Sequence, residues 1–122
     1  MKPACLSVVF SWTPFNSHWI AVQVTKGGTI TIWDSLESDS MRQYAQFILP
    51  AYARLIALNP ANHWEESAFD DCEVKHAATP QQNNREDCGP AAATTIYHIL
   101  RTEPNEQVFE GRCLRFTHLV MV

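Results

Sequence analysis

The stretch from Pro80 to Ala93, Pro-Gln-Gln-Asn-Asn-Arg-Glu-Asp-Cys-Gly-Pro-Ala-Ala-Ala, decides how the rest of this chain is interpreted. Its first half is polar and its second half opens a run of alanines, which places Cys88 where a loop becomes a helix. The unpaired N–H groups of a helix start favour a thiolate over a thiol. Gly89 lets another chain approach the sulfur closely. A buried structural cysteine would also fit here, so a catalytic role must be argued from the rest of the chain.

Length and composition indicate one globular domain spanning residues 1–122. The chain is 46% hydrophobic and 18% charged, and its net charge is −4 without a Lys/Arg cluster. This balance argues against a nucleic-acid partner, because phosphate binding needs a basic face. No apolar run approaches the roughly 18 residues of a membrane span, and the first residues do not resemble a signal peptide. We expect a soluble, intracellular protein that does not bind a membrane.

The four cysteines, Cys5, Cys72, Cys88 and Cys113, are widely scattered and include no Cys-x-x-Cys motif. Small secreted disulfide scaffolds are denser in cysteine, so we expect reduced thiols. Cys72 and His76 lie four residues apart and could form half of a zinc site, but the sequence offers no second pair of ligands. We therefore expect neither a metal ion nor another cofactor.

Two β-branched runs flank Lys26-Gly27-Gly28 and predict a β-hairpin. A three-residue loop makes Thr25 oppose Thr29, and burial selects this register because it gathers the aliphatic side chains on one face. Those side chains are Ile20, Val22, Val24, Ile30 and Ile32. The register also puts His18 and Asp34 at the end of that face, within reach of a side-chain hydrogen bond. We expect this face to pack on the helix that begins near Cys88, which would place His18 near the thiol.

The remaining elements follow from periodicity and capping signals. Ser40 to Gln43 fits a capping box for a helix that ends before Asn59, and Pro50 predicts either two helical pieces or one kinked helix. Its apolar stripe comprises Met41, Ala45, Ile48, Leu49, Tyr52, Leu55 and Ile56. Further predictions are strands at residues 5–12 and 73–77, a loop at 61–71 and a helix from 89 to about 101. The segment 113–122 should pack on the core as an element of undetermined type.

In chain order, the sequence thus supplies a candidate for each role in thiol catalysis. A cysteine nucleophile needs a base, the base needs an orienting carboxylate, and the developing oxyanion needs hydrogen-bond donors. His18, Asp34, Gln82 and the backbone N–H of Cys88 could fill these roles around the Cys88 thiol. Taken alone, His18–Asp34 could be a structural pair and Gln82 a solvated loop amide. His98 lies ten residues beyond Cys88 on the predicted helix, which is too distant for the base.

The order and spacing of these residues resemble the Ulp/SENP family of ubiquitin-like-protein proteases, which is related to the adenovirus protease. The likeness is carried by His18-Trp19, a hairpin ending in Trp-Asp-Ser-Leu, and Pro-Gln-Gln-x-Asn-x-x-Asp-Cys-Gly. It implies His18 as the base, Asp34 as its orienter, Gln82 as oxyanion donor and Cys88 as nucleophile. It also implies that Trp19 lines a narrow tunnel for the Gly-Gly tail of the substrate.

The resemblance implies an α+β fold in which an antiparallel-rich central sheet packs on a helix carrying the catalytic cysteine at its N-terminus. This is the papain-like core of the Ulp and adenovirus proteases, here N-terminally short. The implied function is a thiol protease or isopeptidase that cleaves after the C-terminal Gly-Gly of a ubiquitin-like modifier, whether SUMO, a NEDD-type modifier or ubiquitin. The expected partner is that modifier or its conjugate. We expect a monomer in the nucleus or cytoplasm, or in a host cell if the protein is a secreted effector.

Three alternatives accompany this interpretation. The string Gln-x5-Cys-Gly-Pro-Ala-Ala also resembles bacteriocin-processing peptidases, but these place the histidine and the acid after the cysteine, so the order of the residues in this chain excludes them. Acetyltransferase effectors share the order of histidine, acid and cysteine, but typically carry glutamate where this chain has Asp34. A non-catalytic or truncated modifier-binding module is the third. The presence of all four candidates favours catalysis, because a site that no longer catalyses a reaction has no physical need for them.

Overall fold

The computed structural model describes residues 6–15, 18–82, 88–102 and 116–120, with the backbone alone at Phe15, Cys88, Thr102 and 116–120. Within these ranges the chain forms one mixed sheet and two long helices. The strands are β1 (Ser7–Phe15), β2 (His18–Thr25), β3 (Ile30–Trp33), β4 (Val74–His76) and β5 (Phe116–Val120). The helices are α1 (Asp39–Leu58) and α2 (Cys88–Thr102), and a short 3₁₀ turn covers Glu66–Phe69.

The five strands lie in the order β4-β3-β2-β1-β5. The three central strands pair antiparallel, while β4 and β5 each add in parallel at an edge. This confirms the expected α+β fold with an antiparallel centre. In the β2–β3 hairpin, Val22 opposes Ile32 and Val24 opposes Ile30, which is the predicted register. The pairing of β1 with β2 shifts between Trp12 and Phe15, and such irregularities re-aim nearby side chains. Here the shift falls beside His18.

The two faces of the sheet are covered by different helices. The aliphatic face of the hairpin joins the main core with α1, through Met41, Ala45, Leu49, Ala53 and Ala57. The opposite face carries Val9 and Ala21, which pack with Ala92, Ile96 and Ile99 of α2. The prediction that the aliphatic face packs on the Cys88 helix is therefore wrong. Trp19 and Trp33 add to the apolar area of this second face, which is then large enough to pack against a second helix, α2.

Helix α1 differs from its prediction at its start and along one side. Ser38, not Ser40, is the N-cap, since its hydroxyl accepts a hydrogen bond from the Met41 N–H at 3.2 Å. Pro50 lies inside one continuous helix, so two separate pieces do not occur. The helix ends at Leu58, as predicted. Leu55 is 64% exposed and does not belong to the core.

The other boundaries lie close to the predictions. The first strand begins at Ser7 within the described residues and extends beyond Trp12, and β4 is shorter than the predicted strand. The predicted loop contains the 3₁₀ turn and a buried Trp64. The segment of undetermined type supplies β5. Cys5 and Cys113 lie outside the described residues. No helix in the described ranges is long and apolar enough to cross a bilayer.

Candidate active site

His18 and Asp34 meet at the end of the central hairpin. His18 is the first residue of β2 and Asp34 directly follows β3, and in the observed register these positions are diagonal neighbours. The Nε2 atom of His18 lies 3.0 Å from Oδ1 of Asp34, with 12% and 3% of the two side chains exposed. The predicted pairing is therefore present.

The contact has the distance of a hydrogen bond but not its angle, because Nε2 has no geometrically acceptable partner among the described residues. Catalytic hydrogen bonds are often misaligned before substrate binds. The Nδ1 atom of His18 is also buried without a partner in the described part of the chain. Since Nε2 faces the carboxylate, Nδ1 is the nitrogen that can exchange a proton with a nucleophile.

The Asp34 turn is fixed by hydrogen bonds from within and from a distant loop. Oδ1 of Asp34 accepts a hydrogen bond from the Leu36 N–H at 2.9 Å. The side chain of Gln81 donates to the Asp34 carbonyl at 2.9 Å and accepts from the Glu37 N–H at 2.8 Å. Both ends of the Gln81 carboxamide thus form hydrogen bonds, which fix the backbone of the turn that carries the buried Asp34 carboxylate.

Gln82 joins the same turn at Ser35. Its N–H donates to the Ser35 carbonyl at 2.8 Å, and its Oε1 accepts a hydrogen bond from the Ser35 hydroxyl. The structure thus brings the predicted oxyanion donor to the residue that follows Asp34. The sequence alone assigns no role to Ser35 or Gln81. Their signal is their position beside predicted site residues, within Trp-Asp-Ser-Leu and Pro-Gln-Gln.

Helix α2 begins at Cys88, within one residue of the predicted start, and this end of the helix faces Trp19. A Cβ atom added at Gly89 would meet Cδ1 of Trp19 at 3.5 Å, which is ordinary van der Waals contact. Gly89, which follows the candidate nucleophile, therefore lies next to Trp19, which follows the candidate base, with about the space of one Cβ between them. The Cys88 side chain itself, and residues 83–87 before it, lie outside the described part of the structure.

Other candidates lie elsewhere or have no catalytic geometry. His98 is exposed on α2, where its ring meets Tyr97 edge-on at a centroid distance of 5.9 Å. Among the described residues, no three His, Cys, Asp or Glu side chains are grouped to hold a metal ion. His76 lies at the end of β4, and burial lowers its pKa, with a further lowering from the positive charge of Arg42.

A family model described as the Ulp1 protease family, C-terminal catalytic domain, matches residues 2–122. No curated protein matches. Among solved structures, the chain is similar to the SUMO protease Ulp1 with its catalytic cysteine oxidized to a sulfonic acid, at 22% identity and a TM-score of 0.53. It is also similar to the form oxidized to a sulfinic acid, at 21% identity and a TM-score of 0.54. Each alignment covers 88% of this chain and 49% of the other, so the chain spans about half their length.

Proposed function

The chain belongs to the Ulp1 protease family, and we propose that it is a thiol protease that cleaves after the C-terminal Gly-Gly of a ubiquitin-like modifier. The observation that carries the proposal is the buried contact between His18 and Asp34 at the hairpin end where the Cys88 helix begins. A largely buried histidine beside a buried carboxylate, near a helix that starts with a cysteine, is the arrangement that thiol catalysis requires.

In the proposed reaction, Nδ1 of His18 takes the proton from the Cys88 thiol, and the thiolate attacks the carbonyl carbon of the terminal glycine. The tetrahedral oxyanion accepts hydrogen bonds from the Gln82 side chain and the Cys88 N–H. The C–N bond then breaks as His18 gives its proton to the leaving amine, which leaves a thioester on Cys88. Water attacks this thioester with His18 again taking a proton, and Cys88 leaves as the thiol. Asp34 stabilises the imidazolium that forms on His18 during both the formation and the hydrolysis of the thioester.

The proposed substrate tail follows from the position of Trp19. Its indole faces the backbone of Gly89, the residue that follows the proposed nucleophile. An indole at the start of α2 would leave little space for a side chain on the last residues of a substrate, whereas glycines could pass. Two solved structures that are similar to this chain are of a SUMO protease, which makes SUMO the first modifier to test.

The first experiment is a labelling panel with ubiquitin, SUMO and NEDD-type probes that carry a C-terminal electrophile. We expect the wild type to form a covalent adduct with at least one probe and Cys88→Ala to form none. Cys88→Ala should still bind the matching modifier, since the sulfur contributes little contact area. Binding by the wild type without any adduct would refute the proposed activity and identify a modifier-binding module.

The second experiment tests Trp19 with two modifier substrates that differ only in ending with Gly-Gly or Gly-Ala. We expect the wild type to cleave the Gly-Gly tail and Trp19→Ala to lose the preference. Trp33→Ala is the matched control, because Trp33 packs on the same α2 core from the neighbouring strand. Equal cleavage of both tails by the wild type would contradict the role given to Trp19.

A further inference from the structure

Ser35 makes two hydrogen bonds to one residue of the candidate site, although it lies 47 residues away along the chain. Its carbonyl accepts from the Gln82 N–H at 2.8 Å, and its hydroxyl donates to Oε1 of Gln82. The first bond fixes the Gln82 backbone and the second fixes the rotation of its carboxamide. Ser35 is only 4% exposed, so water competes weakly for either bond.

The direction of the side-chain bond determines what Gln82 can offer to a substrate. A carboxamide has one accepting end and one donating end. Because Oε1 accepts from Ser35, the Nε2 amino group is the end that is turned away from Ser35. An oxyanion needs a donor that is already in place, since reorienting a donor during the reaction costs catalytic stabilisation.

We propose that Ser35 is a positioning residue that presents the Nε2 amino group of Gln82 to the oxyanion. The inference rests on the proposed function, in which Gln82 is an oxyanion donor. It also gives the Asp34-Ser35 pair a combined role: Asp34 contacts the base while Ser35 holds the oxyanion donor. One buried turn then keeps the two halves of the site in a fixed relation.

The kinetic test compares Ser35→Ala with Ser35→Thr, which keeps the hydroxyl, and with Ser38→Ala. Ser38, three residues later, allows the same Ser-to-Ala change at the N-cap of α1, where its hydroxyl accepts from the Met41 N–H. Using a fluorogenic modifier–Gly-Gly amide, we expect about a 10-fold loss of kcat in Ser35→Ala at unchanged KM, because one hydrogen bond of ordinary strength is removed. Ser35→Thr should restore most of the loss, and Ser38→Ala should keep wild-type kcat.

A double-mutant cycle separates positioning from general damage to the fold. If Ser35 acts through Gln82, Ser35→Ala should cause no further loss of kcat in a Gln82→Ala background. Losses that multiply in the double variant would overturn the inference. The alkylation rate of Cys88 by iodoacetamide, followed by mass spectrometry at that peptide, should not change in Ser35→Ala because no oxyanion forms. A fall in alkylation equal to the fall in kcat would show that Ser35 acts on His18 and Asp34 instead.

A third measurement needs no turnover. The side-chain amide resonances of Gln82, assigned by their loss in Gln82→Ala, should shift in Ser35→Ala and return toward the wild type in Ser35→Thr. Unchanged resonances in Ser35→Ala would overturn the inference. Because this result is independent of activity, it shows whether Ser35 orients the Gln82 carboxamide even if the wild type cleaves no modifier, an outcome that would refute the proposed function.

Discussion

Replacing Asp34 by Asn tests the electrostatic basis of the site with the smallest possible change in shape. The asparagine oxygen can still accept the hydrogen bond that the Leu36 N–H donates to Oδ1 at 2.9 Å. The turn is also held through backbone atoms by Gln81, which the substitution does not alter. We therefore expect the fold to survive while the negative charge beside His18 is lost.

The size of the effect follows from the 3.0 Å separation of Nε2 and Oδ1. At that distance, a carboxylate and an imidazolium attract by about 5.5 kcal/mol at an effective dielectric constant of about 20, and by about 1.4 kcal/mol in bulk water. Each 1.4 kcal/mol is tenfold in rate, so losing about 5.5 kcal/mol lowers the rate about 10⁴-fold and losing about 1.4 kcal/mol lowers it about 10-fold. Since the pair is nearly buried but lies at the rim of the core, we predict a loss of about 10²–10³ in kcat/KM.

The assay is hydrolysis of the modifier–Gly-Gly amide, together with urea unfolding of each variant. Asp70→Asn is the matched control, because Asp70 pairs with Arg54 at 3.2 Å with 64% and 40% of the two side chains exposed. Exposed pairs contribute little, so this variant should match the wild type in both assays. An Asp34→Asn protein that is folded and keeps kcat/KM within about threefold of the wild type would refute the reasoning, since each tenfold needs only about 1.4 kcal/mol.

Three further predictions concern the turn, the oxyanion and the pH dependence of stability. Gly28→Ala should destabilise the protein by about 3 kcal/mol, because its φ is +98° and a Cβ would lie 2.3 Å from the Ala68 carbonyl oxygen. Gly27→Ala, with nothing within 4 Å of its Cβ, should change urea unfolding little, and equal losses would contradict the turn geometry. Gln82→Ala should lower kcat by about 10²–10³; an unchanged kcat would mean that the oxyanion is held elsewhere. The pKa of His76 is lowered from its ordinary 6.5, so below pH 6.5 the unfolded chain takes up its proton first and the free energy of unfolding falls. His76→Gln should reduce that fall between pH 7.5 and 5.5 in urea unfolding, and an identical fall would exclude His76 as a cause.

The hairpin and the pairing of His18 with Asp34 could be predicted because both depend on local rules. The side chains of a strand alternate between two faces, and the length of the Lys26–Gly28 loop sets which residues oppose each other. The same alternation placed His18 and Asp34 together. The start of α2 at Cys88 followed from the change in composition there. None of these predictions required the position of a segment that is distant in the sequence.

The arrangement of the helices and the support of Gln82 were decided by the tertiary structure. Both faces of the hairpin are apolar enough to cover a helix, so alternation alone could not assign α1 to one face and α2 to the other. The two hydrogen bonds between Ser35 and Gln82 join residues 47 positions apart. Local propensity and periodicity extend over a few residues, whereas such a contact exists only after β3 and the loop before α2 have been brought together by the sheet. The sequence therefore determined which residues could perform the chemistry, and only the packing of distant segments decided which neighbours hold them in place.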